Sequence, residues 1–197
     1  MRKPNAPNKR VEQSIQTKQR LLDASLALFV YKGYGGTTVR DIAAKAHVSP
    51  GLMFHYFASK QEMLEEHITF MNVGIDAIAQ LISQSETPLE TFTFVAKAIL
   101  DSFEEEKGKQ LFLLSNQIAT SILIPPEIKN QLHGSHTLEA SRPLIAKGQH
   151  LGEIKQGDPY ALALTFWGAL QGIASLVAWH PKATVPEPQM VTATLKS

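Results

Sequence analysis

Residues Thr37 to Lys60, TTVRDIAAKAHVSPGLMFHYFASK, read as two short helices joined by a tight turn. The side chain of Thr38 can accept from the free N–H groups of a helix running Val39 to Ala46, and Asp41, three residues on, complements its positive end. Ile42, Ala43 and Ala46 give this helix a small apolar face, with Arg40 and Lys45 pointing outward. The run Ala46-His47-Val48-Ser49 breaks the pattern. Ser49-Pro50 then supplies an N-cap and a proline at the first helical position, where its missing N–H costs nothing. The second helix lasts barely two turns before Ala58-Ser59-Lys60, where Ser59 and Glu62 make the capping box of a new start. Short helix, tight turn and shorter helix form a helix-turn-helix, whose second helix is shaped to enter a DNA groove.

Working outward, Leu21, Leu22, Ser25, Leu28 and Phe29 recur at helical spacing from Thr17 to Tyr31 and end at Lys32-Gly33, giving a supporting helix. The first dozen residues carry prolines, asparagines and charges without an apolar period, and are expected to be a flexible basic arm. No apolar run follows those charges, so they do not read as a signal peptide. Residues 1 to 60 hold ten Lys or Arg against three acids, a net of +7, in a chain whose total is +1. Residues 61 to 197 therefore carry −6. Positive potential is concentrated at the end bearing the motif, as a phosphate backbone partner requires.

These residues resemble the DNA-binding domain of the TetR family of bacterial transcriptional regulators. The resemblance rests on Gly33-Tyr34, Thr37-Thr38, Ile42-Ala43, Val48-Ser49, Gly51, Tyr56-Phe57 and Ser59-Lys60, within about Thr17 to Leu64, with a further local run from Gly148 to Glu153. Two positions depart from it. His47 stands where the family usually has a turn glycine, often at positive φ, a conformation histidine tolerates better than most residues. Phe54 stands where the family usually has a tyrosine with its hydroxyl on a phosphate.

The docking geometry of such motifs assigns roles. Arg40, Pro50, Gly51 and His55 are the expected base readers. Arg40 suits a bidentate contact to guanine, while Pro50 and Gly51 offer apolar contact and close backbone approach. Thr38, Ser49, Tyr56 and Lys60 are expected on phosphates, with Thr37 and Tyr34 as further candidates. Phe57 and Phe54 read as core aromatics, and Tyr56 fits either role.

Beyond Ser59, helices are predicted over Lys60 to Gln84, Pro88 to Glu106, Lys109 to Leu123, Glu127 to Gly148, Pro159 to His180, and a short one from Glu187 to Leu195. Thr87-Pro88-Leu89-Glu90 and Asp158-Pro159 mark two starts. No strand pattern competes, so the fold class is all-α: a basic arm (1–12), a three-helix DNA-binding domain (13–59) and a helical effector-binding and dimerisation domain (60–197).

The segment Ala161 to Trp179, ALALTFWGALQGIASLVAW, is apolar almost all round. Thr165, Gln171 and Ser175 inside it, the acid and proline immediately before it, and the lack of a flanking basic cluster argue against a membrane span. A subunit interface fits better: Gly168 and Gly172 permit close approach, while Trp167, Leu170, Ile173 and Leu176 supply area for a two-fold homodimer. In the resembled family the last two long helices form that interface.

In such regulators the middle of the chain encloses a small-molecule pocket. Met63, His67, Phe70, Met71, Phe92, Phe103 and Phe112 could line one, although most such residues are ordinary core. Phe112, Asn116, Thr120, Trp167 and Gln171 are the chosen candidates, because polar groups on apolar faces need partners. His133, His136, Glu139 and His150 raise a metal site, but their spacing is not that of structural zinc, and solvated histidines are the better account, so no metal or cofactor is expected. The chain has no cysteine, which excludes disulfides and thiol redox sensing. No nucleophile elbow, P-loop or dinucleotide fingerprint is present, and no catalytic constellation is assigned.

The resulting expectation is a cytoplasmic, non-enzymatic regulator that binds double-stranded DNA at a palindromic operator and is released by an unidentified small-molecule effector. The alternatives are an effector-independent architectural protein or activator of the same fold, or a non-DNA ligand-binding or enzymatic helical protein that only looks like a regulator. Release would follow from linkage, with the helix from Lys60 to Gln84 as lever.

Overall fold

A computed structural model describes residues 9–180 and 182–197 of the chain. Among the described residues lie ten helices: α1 (Lys9–Lys32), α2 (Val39–Lys45), α3 (Pro50–Tyr56), α4 (Lys60–Gln84), α5 (Pro88–Ser102), α6 (Glu106–Thr120), α7 (Pro126–Lys129), α8 (Gly134–His150), α9 (Pro159–Trp179) and α10 (Pro188–Thr192). No strand occurs among the described residues, only a bridge between Ile154 and Lys196. The all-α expectation holds. The arm expected over residues 1–12 is corrected in part, because the chain is already helical from Lys9; residues 1–8 lie outside the described residues.

The chain divides into two compact units after His67. In the first, α2 and α3 have only seven residues each. Helices that short are marginal alone, so burial must hold them. Leu21 and Phe29 from α1, Ile42 from α2, Met53 from α3, and Met63 and Leu64 from the start of α4 are completely buried, with Phe57 only 2% exposed. At about 1.5–3 kcal/mol per fully buried large apolar side chain, this small core is the main stabilising term of the unit. His67 is buried beside it, its Nε2 2.9 Å from the Ser25 hydroxyl and its ring edge-on to Phe29. Met63 and His67 are thus core of the first unit rather than lining of an effector pocket.

In the second unit, α8 packs along α9, α10 covers α5, and α6 also lies on α9. Its core joins Phe92, Phe103, Phe166, Leu170 and Ala174, with Phe92 and Phe166 edge-to-face at 5.0 Å. Asp158 caps α9 by accepting from Tyr160 N–H, as its sequence signal implies. Thr87 does not cap α5 with its side chain; the carboxylate of Glu153 reaches in to accept from Leu89 N–H instead.

Two helix boundaries depart from the pattern. Gly108 reads as a break but lies inside α6, where a Cβ would stand 2.2 Å from the Ser102 carbonyl oxygen, so its role is close approach to the end of α5. The helix expected from Glu127 to Gly148 is split into α7 and α8. Asn72 of α4 causes the split to persist: its Nδ2 donates to Gln131 O at 2.7 Å and its Oδ1 accepts from His133 N–H at 3.0 Å, satisfying the interrupted backbone from outside. Gly148, near the end of α8, permits contact with Ile154, whose Cδ1 would lie 2.6 Å from an added Cβ. Helix α8 then closes with Gly152 at φ 74°, its N–H on Gln149 O and the Glu153 N–H on Gly148 O, a Schellman motif.

Candidate nucleic-acid interface

One carboxylate caps the start of the helix-turn-helix. Asp41 Oδ2 accepts from Thr38 N–H at 2.8 Å, from the Thr38 hydroxyl at 2.8 Å and from Lys32 Nζ at 2.6 Å, while Asp41 N–H returns a bond to Thr38 Oγ1 at 3.1 Å. The reciprocal pair is a capping box with Asp in place of the usual Glu. The lysine and these donors hold the Asp41 carboxyl at a pKa of about 2, well below its ordinary value.

Helix α2 ends as α8 does. His47 N–H meets Ala44 O at 3.1 Å and Val48 N–H meets Ala43 O at 3.0 Å, again a Schellman motif, but with His47 at φ 55° where α8 has glycine. The left-handed turn anticipated at His47 is present. Two residues later Ser49 Oγ accepts from Leu52 N–H at 3.1 Å, starting α3 with Pro50 behind it.

These caps fix which side chains face solvent. Met53 and Phe57 turn inward, and Pro50, Gly51, Phe54 and His55 turn outward with Arg40 of α2. Arg40 makes no ion pair among the described residues, so its guanidinium is available to a partner. Ser49 is exposed, and its hydroxyl proton stays available while its oxygen caps α3. Tyr56 is half-buried, its ring edge-on to His55.

Four roles read from sequence change. Thr37 is 1% exposed, and its hydroxyl donates to Gly33 O and Leu28 O, so it braces the α1–α2 loop rather than facing a phosphate. The Thr38 hydroxyl proton is engaged by Asp41, leaving no donor for a phosphate in this arrangement. Lys60 donates to Tyr34 O at 2.7 Å and Thr37 O at 2.9 Å, with its ammonium 4.3 Å from the Tyr34 ring centre. Desolvation lowers its pKa, and its first task is to tie the start of α4 to that same loop. Phe54, expected in the core, is 55% exposed. It lies one turn from Pro50 and Gly51 and so extends their outward surface, with Leu52 41% exposed beside it. The signal was present in the sequence: on a two-turn helix, Met53 and Phe57 at i and i+4 already define the inward side.

Helix α9 presents a second surface. Leu170, expected at a subunit interface, is fully buried in its own core together with Phe166 and Ala174. Ile173 and Trp167 are half-buried against that core, the indole Nε1 of Trp167 donating to Ser141 Oγ at 3.0 Å. Gly168, Gly172 and Leu176 do face outward, on a stripe with Leu164 (48% exposed) and Trp179 (83% exposed), neither of which sequence reading selected. By length and composition alone α9 could cross a membrane, but one face is committed to the core of its unit.

The effector candidates divide. Phe112 stacks edge-on to Phe103 at 5.0 Å and, like Trp167, packs on the core. Asn116 is half-buried, and Thr120 is exposed with its hydroxyl on Asn116 O. The Gln171 side-chain nitrogen is buried and has no hydrogen-bond partner among the described residues. Two surface clefts, one between the middle of α8 and the start of α9 and one along α5, contain none of these five residues.

Comparison with known proteins bears on both units. The sequence model described as bacterial regulatory proteins, tetR family, matches residues 21–67. The HTH-type transcriptional regulator TcmR of Streptomyces glaucescens is 32% identical over 97 residues, covering 49% of this chain and 43% of that protein. The HTH-type transcriptional repressor KstR2 of Mycolicibacterium smegmatis is 30% identical over 107 residues, covering 54% of this chain and 50% of its own length. The chain thus spans about half the length of the curated relatives it matches. Across nearly its whole length it shares the fold of the MbdR regulator from Azoarcus sp. CIB, with a TM-score of 0.76, 20% identity, and 92% and 97% of the two chains covered.

Proposed function

We propose that this chain, whose residues 21–67 match the model of the tetR family of bacterial regulatory proteins, is a cytoplasmic transcriptional repressor of that family, not an enzyme, that binds a palindromic DNA operator as a homodimer. The observation that carries this reading is the capped helix-turn-helix with Arg40, Ser49, Pro50, Gly51, Phe54 and His55 turned to solvent in a basic unit. Arg40 reads a guanine edge, Gly51 lets the α3 backbone approach the groove floor, and Phe54 packs on thymine methyls or sugars. Ser49 and Tyr56 hold phosphates, while Asp41, Thr37, Thr38 and Lys60 fix the position of the reader.

The outward stripe of α9 supports the homodimer. Glycines at 168 and 172 let two helices approach, and Leu164, Leu176 and Trp179 flank them. For the effector, the buried nitrogen of Gln171 is the supporting observation. An unpaired buried amide costs about 1–3 kcal/mol, so a small molecule offering a carbonyl or carboxylate oxygen there, one helical turn from Trp167, would recover that cost. Ligand binding that favours a spacing of the two readers unsuited to DNA lowers DNA affinity by the factor that DNA lowers ligand affinity.

The test is selection of the purified protein on a randomised duplex pool. A palindromic enriched site supports the reading. A folded protein that enriches nothing refutes sequence-specific binding. With the site in hand, Arg40→Ala should relax discrimination at one position of each half-site.

A further inference from the structure

We propose that Asp76, His133 and His136 form a binding site for a divalent transition-metal ion of the zinc, cobalt or nickel kind. Asp76 lies on α4; His133 immediately precedes α8 and His136 lies in its first turn. His133 Nδ1 is 2.9 Å from Asp76 Oδ2, and His136 Nδ1 is 2.9 Å from Asp76 Oδ1. The imidazole rings stack with centres 4.5 Å apart, and one ligand atom from each of the three residues lies within 4.8 Å of the others. All three residues belong to the second unit, so the arrangement is internal to one compact body.

The donor set selects the class of ion. Two imidazole nitrogens and one carboxylate, in a chain without cysteine, suit borderline metals rather than magnesium or calcium, which prefer all-oxygen shells. Metal–ligand bonds of about 2.0–2.2 Å place tetrahedral donors roughly 3.3–3.6 Å apart, a few tenths of an ångström beyond the present nitrogen–oxygen separations. An ion can therefore replace the two bridging protons with small side-chain movements. The side chains of Asp76, His133 and His136 are 47%, 38% and 52% exposed, which leaves an entry path and open coordination positions for water. The N-terminal end of α8 disfavours a cation, and the carboxylate of Asp76 offsets it.

The site is also supported from behind. Asn72, one turn before Asp76 on α4, holds both Gln131 O and His133 N–H, so the segment carrying the histidines is anchored whether or not an ion is bound. The grouping His133, His136, Glu139 and His150 considered from sequence is corrected. Glu139 is paired with Arg142 at 3.0 Å, and His150 lies about 21 Å along α8 from His136 at 1.5 Å per residue.

The experiment uses the full chain without a histidine tag, stripped with chelator and titrated with Co2+ and then Zn2+. One ion per chain with visible cobalt bands is expected. Asp76→Asn and His136→Gln should each weaken binding by at least about tenfold, and His150→Gln should bind as the unaltered chain does. Zinc should raise the unfolding temperature of the unaltered chain and leave Asp76→Asn where it was. Equal binding by all variants, or no ion retained by protein with an intact helical spectrum, overturns the proposal. Neither result bears on DNA recognition, which rests on other residues.

Discussion

Replacing His47 with glycine should stabilise the protein. His47 is exposed and stands at φ 55°, in the C′ position of the Schellman motif that ends α2. A left-handed backbone costs a non-glycine residue about 1–2 kcal/mol, and histidine belongs near the lower end. Glycine removes that cost but returns about 0.5 kcal/mol through the freedom it gives the unfolded chain. The net gain is about 0.5 kcal/mol, which corresponds to an increase in Tm of roughly 1–4 °C, the larger value applying where the small first unit melts by itself. His47→Val, β-branched at the same angle, should lose about 1–2 kcal/mol, opening a spread near 2 kcal/mol between the two variants. The chain contains its own control, because Gly152 occupies the matching position of α8 at φ 74° with open space around it. Gly152→Ala should therefore lose about 1 kcal/mol through backbone strain alone. Urea midpoints, read by circular dichroism, would order these proteins. A His47→Gly protein less stable than its parent, or a His47→Val protein equal to it, would refute the strain argument.

Further outcomes follow from the same geometry. Phe54→Ala should leave the unfolding free energy within about 0.5 kcal/mol of its original value, as exposed substitutions do, while weakening operator binding in a mobility-shift titration; a large stability loss would return Phe54 to the core. Leu176→Glu should shift the chain from dimer to folded monomer in sedimentation velocity, because the residue is 58% exposed and faces away from its own core. Gly148→Ala should destabilise by about 1–3 kcal/mol despite the better helix propensity of alanine, since the added methyl meets Ile154 and Pro88, and thermal melts would show it. Asp41, whose folded pKa is depressed to about 2, contributes stability that is present above its ordinary carboxylate pKa and is lost as pH falls from about 4 towards 2. Asp41→Asn should flatten that part of the pH–stability curve.

Local chemistry was legible along the chain where the signal is itself local. Thr38 with Asp41, Ser49 with Pro50, and Asp158 with Pro159 each announce a helix start that depends on atoms within three residues. What escaped sequence reading depends on partners far away in the chain. Nothing near residue 130 says that Asn72 will hold the break between α7 and α8, and nothing near His133 says that Asp76 will face it. The faces of α9 were illegible for a different reason. When almost every position is apolar, hydrophobic pattern cannot distinguish Leu170, which faces the core, from Leu164, which faces away. Among the DNA-facing candidates, hydroxyls and amines were read by chemical type, yet Thr37 and Lys60 are bound to backbone carbonyls that sequence does not display. Phe54 is the opposite case, an aromatic residue whose outward position follows once Met53 and Phe57 are taken as the inward side.

The two-sided character of α9 has a consequence for gene dosage. Its inward face completes the core of its own unit, so the pairing proposed on its outward stripe would be an equilibrium separate from folding. Under that proposal the chain would exist as monomers when scarce, with a paired form that grows as the square of copy number. Halving its expression would then reduce operator occupancy about fourfold in the dilute limit, sharpening the threshold at which the controlled gene escapes.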